Sequence, residues 1–90
     1  METPSTPTQA VAAVVREALA RRKITDTALS EATGIPSATL SRRLSGGKKA
    51  FDVDELYAIA EFLEASPADL LARATALLPS QPSPVITRVA

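Results

Sequence analysis

The chain contains no cysteine and no histidine. The first absence removes disulfides, thiolate zinc sites and cysteine nucleophiles, and the second removes the commonest general base. Aromatic residues are nearly missing too, at 3% of 90 residues, although 46% are hydrophobic. The core must therefore be built from Leu, Val, Ile and Ala. Such aliphatic cores suit packed helices better than sheets, which favour β-branched and aromatic side chains. Glycine occurs three times, twice in succession. The longest apolar run, Ala10 to Val15, falls far short of the ~20 residues that cross a membrane. The opening Met1-Glu2-Thr3-Pro4 lacks the basic start of a secretory signal. These absences point to a cytoplasmic protein of one domain, with no metal and no cofactor.

Charge is balanced, with ten basic and ten acidic residues. Taken alone, that argues against a nucleic-acid ligand. The distribution changes the reading. Residues 21–49 hold seven basic side chains (Arg21, Arg22, Lys23, Arg42, Arg43, Lys48, Lys49) against Asp26 and Glu31, a net +5. Residues 50–72 hold Asp52, Asp54, Glu55, Glu61, Glu64 and Asp69 with no basic partner. A positive segment is followed by a negative one.

Helix signals recur along the chain. After a loose polar leader, residues 1–5, Thr6 reads as an N-cap, Pro7 as the first helical residue and Gln9 as the far side of a capping box. Val11, Val14, Val15, Ala18 and Leu19 follow at helical spacing, and Arg21, Arg22 and Lys23 close the helix where cations meet the negative end of its dipole. Thr25 caps a short second helix through Thr33, with Ala28, Leu29 and Ala32 expected inside, and Gly34 stops it. A third helix is predicted from Pro36-Ser37 to about Ser45, buried through Leu40 and Leu44. A flexible loop, Gly46-Gly47-Lys48-Lys49, comes next. Asp52 and Glu55 open a fourth helix whose inner stripe is Leu56, Ile59, Ala60 and Leu63, with Phe51 stapled onto Leu56. Ser66-Pro67-Ala68-Asp69 opens a fifth, with Leu70, Leu71, Ala74 and Leu77 expected inside. The prolines at 79, 82 and 84 make a semi-rigid linker, and Val85 to Val89 has strand-like composition. The domain is thus expected over residues 6–78, with a linker and tail over 79–90.

The stretch from Asp26 to Ser45 carries the functional signal. Two short helices flank a turn centred on Gly34. Leu29, Ile35 and Leu40 can lock them together, and Ser30 is small where they approach. That is a helix-turn-helix. At 100° per residue, Leu40 and Leu44 centre the buried side of the second helix, and Arg42 points directly away. Ala38 and Ser45 flank Arg42, with Ser41 and Thr39 further round. Small residues let such a helix approach a major groove, where arginine pairs two-pronged with guanine and serine or threonine bonds to bases or phosphate. Lys48 and Lys49 are placed to hold phosphate. No acid–base pair or nucleophile constellation is visible, so no enzyme is expected. Ser45-Gly46-Gly47-Lys48 matches the S-x-x-K pattern of serine β-lactamases, but the partner motifs are missing.

Ala28-Leu29-Ser30-Glu31-Ala32-Thr33-Gly34-Ile35-Pro36-Ser37-Ala38-Thr39-Leu40-Ser41-Arg42-Arg43-Leu44-Ser45-Gly46 resembles the Cro/repressor (XRE) helix-turn-helix family. Phe51-Asp52-Val53-Asp54-Glu55-Leu56 and Ser66-Pro67-Ala68-Asp69-Leu70-Leu71 resemble its fourth and fifth helices. The likeness covers about residues 8–78. It implies an all-α, five-helix, lambda-repressor-like domain that binds double-stranded DNA, often a phage or prophage repressor acting as a homodimer on a palindromic operator. By position, the family's base-contacting residues fall on Ser37, Ala38, Ser41 and Arg42. Backbone contacts are expected from Thr25, Thr27, Thr39, Arg43, Ser45, Lys48 and Lys49. Three features depart from the family pattern. Asp26 stands where a glutamine often touches phosphate, so Thr25 or Thr27 is expected to donate instead. Arg43 stands at a usually apolar position, with phosphate contact or solvent as its two possible places. The net charge of zero implies modest non-specific affinity. The competing expectation is a protein-interaction module, an antitoxin or accessory factor using the same fold. For assembly, Val85 to Val89 is expected to pair with its twin as a two-stranded ribbon.

Overall fold

The computed structural model describes residues 4–47 and 49–78. Five helices follow in order: α1 (Pro7–Arg22), α2 (Asp26–Thr33), α3 (Ser37–Leu44), α4 (Val53–Phe62) and α5 (Pro67–Leu77). No strand occurs among the described residues. The expected linker and strand-like tail lie outside them, as do Lys48 and residues 1–3 of the leader.

Four helices start as their sequences dictate, with a side-chain oxygen accepting an N–H that the first turn leaves unpaired. Thr6 accepts from the Gln9 amide at 3.2 Å, Thr25 from Ala28 at 3.1 Å, and Ser66 from Asp69 at 3.0 Å. Asp52 and Glu55 form a full capping box at 2.8 and 3.0 Å. The box expected at α1 is only half formed. The Gln9 side-chain oxygen Oε1 instead accepts from the Ser5 amide and hydroxyl at 2.9 and 3.1 Å. Ser5 is therefore tied to the helix start and is not part of a loose leader. Pro36 precedes α3 and offers no side-chain cap.

Helix ends show a feature the sequence conceals. Lys23 and Glu64 adopt left-handed backbone, φ 56° and 59°. Around each, the amides close a Schellman pattern: Lys23 to Ala20 and Ile24 to Leu19, then Glu64 to Glu61 and Ala65 to Ala60. Gly34 ends α2 at φ 79°, as expected, with its amide donating to the Ser30 carbonyl. Two arginines of α1 cap other helices: Arg16 donates to the Leu44 carbonyl at the end of α3, and Arg22 to the Leu63 carbonyl at the end of α4, the latter at 2.7 Å.

The core has two linked clusters. The larger joins Val15, Ala18 and Leu19 of α1 to Leu29, Ile35, Leu40, Leu44, Phe51, Leu56, Ile59 and Leu63. The smaller joins Ala10 and Val14 to Ala60, Leu70 and Ala74, and Val11 packs against both. The stripes expected on α1, α3 and α4 are all present, and Phe51 is buried as a staple should be. Two expectations fail. Ala28 and Ala32 are exposed, so α2 buries Leu29 alone. Leu71 and Leu77 are 46% and 39% exposed. Leu70 and Ala74 already fill the contact between α5 and α1, which turns Leu71 about 100° away from it.

Candidate nucleic-acid interface

The helix-turn-helix is held by its own polar groups as well as by Leu29, Ile35 and Leu40. The Ser30 hydroxyl donates to the Ile35 carbonyl at 2.6 Å across the turn. Thr33 donates to the Leu29 carbonyl at 2.7 Å, and its oxygen accepts from the Ile35 amide at 3.3 Å. A Cβ built on Gly34 would meet no atom within 4 Å. Glycine is needed there for its positive φ alone, not for close approach.

On α3, Leu40 and Leu44 are 0% and 5% exposed, and Ser37, Ala38, Ser41 and Arg42 all lie on the exposed side. The Arg42 side chain has no hydrogen-bond or ion-pair partner among the described residues. Its five donors stay available to a ligand. Ser41 also lines an open groove of about 510 Å³ with Arg16, Leu19, Ile24, Asp26 and Leu44. Asp26 thus brings a negative charge to the edge of this surface, beside the first turn of α2.

The expected phosphate-holding residues divide. Thr27 and Lys49 are exposed, Thr39 is half-buried and Lys48 lies outside the described residues. Thr25 uses its oxygen to cap α2, which leaves its hydroxyl proton free to donate. Ser45 already donates to the Arg42 carbonyl at 2.8 Å. Arg43 is half-buried and paired within the fold. Its Nε lies 3.2 Å from Glu55 Oε1, with the two side chains 14% and 15% exposed. Of the basic run at the end of α1, Arg22 caps α4, while Arg21 pairs with Glu17 at 3.0 Å on the exposed surface of its own helix. The positive surface is consequently narrower than the run of basic residues suggests, and it centres on Arg42.

A family model for the Cro/C1-type helix-turn-helix DNA-binding domain matches residues 15–75. The chain belongs to this family. Two crystal structures of the clp gene regulator ClgR from Corynebacterium glutamicum are similar to it. One is 28% identical with a TM-score of 0.74, covering 83% of this chain and 78% of the other. The second is 27% identical with a TM-score of 0.77, covering 87% of this chain and all of the other. No curated protein sequence matches significantly. As a Cro/C1-type domain, the protein binds DNA, and α2, Gly34 and α3 are its helix-turn-helix. No described helix is long and apolar enough to cross a membrane. No described group of acidic side chains is arranged to hold a metal ion.

Proposed function

We propose that this Cro/C1-type protein regulates transcription as a repressor, reading a palindromic operator through the major groove. The observation that carries the reading is the uncovered side of α3, where Arg42 stands opposite the buried Leu40 and Leu44 with its guanidinium unpaired among the described residues. In this reading Ser37, Ala38, Ser41 and Arg42 meet base edges. Thr25, Thr27, Thr39, Ser45, Lys48 and Lys49 hold the phosphates alongside. The protein works in the cytoplasm as a homodimer, in the manner of a phage immunity repressor or Cro. Two-fold symmetry in the protein then requires two half-sites about one helical turn, roughly 34–36 Å, apart. Selection from random-sequence duplexes, followed by gel shift over a salt series, tests all of this. Recovery of a symmetric site supports it, and absence of binding at low salt and micromolar protein rejects it. Truncation after Leu78 yields a monomer in sedimentation if Val85 to Val89 joins the two copies, and an unchanged dimer discards that route.

One observation favours a second reading. Val53 and Tyr57, one turn apart on acidic α4, are 68% and 61% exposed. An antitoxin or accessory factor would use such a face to hold a partner protein. A stoichiometric partner retained by Arg42→Ala, in a chain that selects no duplex, favours that reading over the first.

A further inference from the structure

Arg43 follows Arg42 on the DNA-reading helix, yet it is half-buried and paired within the fold. Its guanidinium meets Glu55 with two prongs, Nε to Oε1 at 3.2 Å and Nη2 to Oε2 at 3.5 Å. The same Oε1 accepts the Asp52 amide at 3.0 Å, and Asp52 in turn caps the Glu55 amide at 2.8 Å. One carboxylate therefore starts α4 and grips the last turn of α3. The Cα traces of α3 and α4 stay more than 8 Å apart, whereas α3 lies directly against α1 and α2. Between Arg43 and Glu55 the chain passes through Gly46, at φ 77°, and Gly47, which impose little on their own. The ion pair closes this loop and ties α3 to α4, whose Cα trace does not otherwise approach it.

We infer that Arg43 is a positioning residue for DNA recognition: paired with Glu55, it fixes the seating of α3 and of the loop bearing Lys49, and it contacts no phosphate itself. The inference rests on the DNA-binding reading above. It assigns the two neighbouring arginines opposite tasks, Arg42 toward the ligand and Arg43 toward the fold.

The test uses the full chain and the operator selected by the wild-type protein. Affinity is followed over a salt series for Arg43→Met, Glu55→Gln and the double variant, at a temperature where circular dichroism shows each to be folded. Arg43→Met weakens operator binding about fivefold, while the slope of log affinity against log salt stays that of the wild type. Glu55→Gln keeps an acceptor for the capping box and causes a similar loss, and the double variant is no worse than either single. Arg43→Lys, which retains the charge and one hydrogen bond, recovers part of the affinity and stands in should Arg43→Met fail to fold. A phosphate contact behaves otherwise. The slope for Arg43→Met then falls by about one per subunit, about two for the dimer, and Glu55→Gln, by releasing the arginine, binds more tightly. Either result overturns the inference, as does unchanged affinity in both single variants. Those outcomes leave wild-type binding intact, and so they differ from failure of the wild-type chain to bind any duplex, which removes both readings together.

Discussion

Replacing Arg42 by alanine separates recognition from stability more cleanly than any other single change in this protein. The side chain is exposed and makes no hydrogen bond or ion pair among the described residues, and alanine is the best helix former. Stability should change by no more than about 0.5 kcal/mol, a melting-temperature shift of roughly 2–4 °C at this size. Binding should respond quite differently. A two-pronged arginine–guanine contact is worth about 1–3 kcal/mol of discrimination, which corresponds to roughly 5- to 150-fold in affinity for each half-site. Fluorescence anisotropy with the selected operator and a scrambled duplex measures both parts. The loss should be large on the operator, small on the scrambled duplex, and confined to one base pair when each position of a half-site is varied. Equal losses on both duplexes would mean that Arg42 holds phosphate. Unchanged operator affinity, with the melting temperature also unchanged, would refute the orientation of α3 on DNA.

Three other predictions concern the scaffold. Leu40→Ala empties a fully buried site at the centre of the larger core cluster and should lower stability by about 2–5 kcal/mol in urea titration; a loss under about 1 kcal/mol would contradict its place in the core. Gly34→Ala meets no steric obstacle, so its expected penalty is the left-handed backbone term alone, about 1–2 kcal/mol, with operator affinity retained below the melting transition. Lys23→Gly and Glu64→Gly each relieve a side chain at positive φ and should each raise stability by roughly 0.5–1 kcal/mol after the added entropy of an unfolded glycine is subtracted; a fall in melting temperature would show that Lys23 or Glu64 makes a compensating contact.

The parts of the fold legible in the sequence were those decided within one helical turn. Thr6, Thr25, Asp52 and Ser66 each cap the amide three residues on, a choice that needs no knowledge of the rest of the chain. The long stripes of α1 and α4 repeat often enough to fix a buried face. The eight-residue α2 does not, and its two alanines fit either side of the helix, with Leu29 alone deciding. In α5, Leu70 and Leu71 are adjacent, and nothing local tells which one meets α1. The surface of α3 was legible because Leu40 and Leu44 leave only one buried arc. Arg16, Arg22 and Arg43 were not, for their partners lie 28, 41 and 12 residues away. Arg22 read as a charge at its own helix terminus, yet its guanidinium terminates a different helix. Lys23 and Glu64 were hidden for another reason: Schellman ends favour glycine, and here tertiary packing of Ile24 and Ala65 overrides that preference.

These long-range arginine contacts bear on how the interface can vary. An eight-residue helix is not stable alone in water, so α3 keeps its shape through Leu40, Leu44, the Arg16 cap and the Arg43–Glu55 pair. Every one of these anchors lies off the exposed side. Ser37, Ala38, Ser41 and Arg42 therefore contribute little to folding and can change without disturbing it. Replacing the four together by other polar residues should shift the melting temperature by only a few degrees and yet select a different operator from random duplexes. Arg22 and Arg43 are held by contacts within the fold and Arg21 is paired with Glu17 on the surface, so the charge left to hold the variant on DNA indiscriminately is mainly that of Lys48 and Lys49. Its affinity for the old operator should drop nearly to the non-specific level. If the variant still preferred the original operator, sequence would be read by some other surface, and α3 would serve only to seat the domain on the backbone.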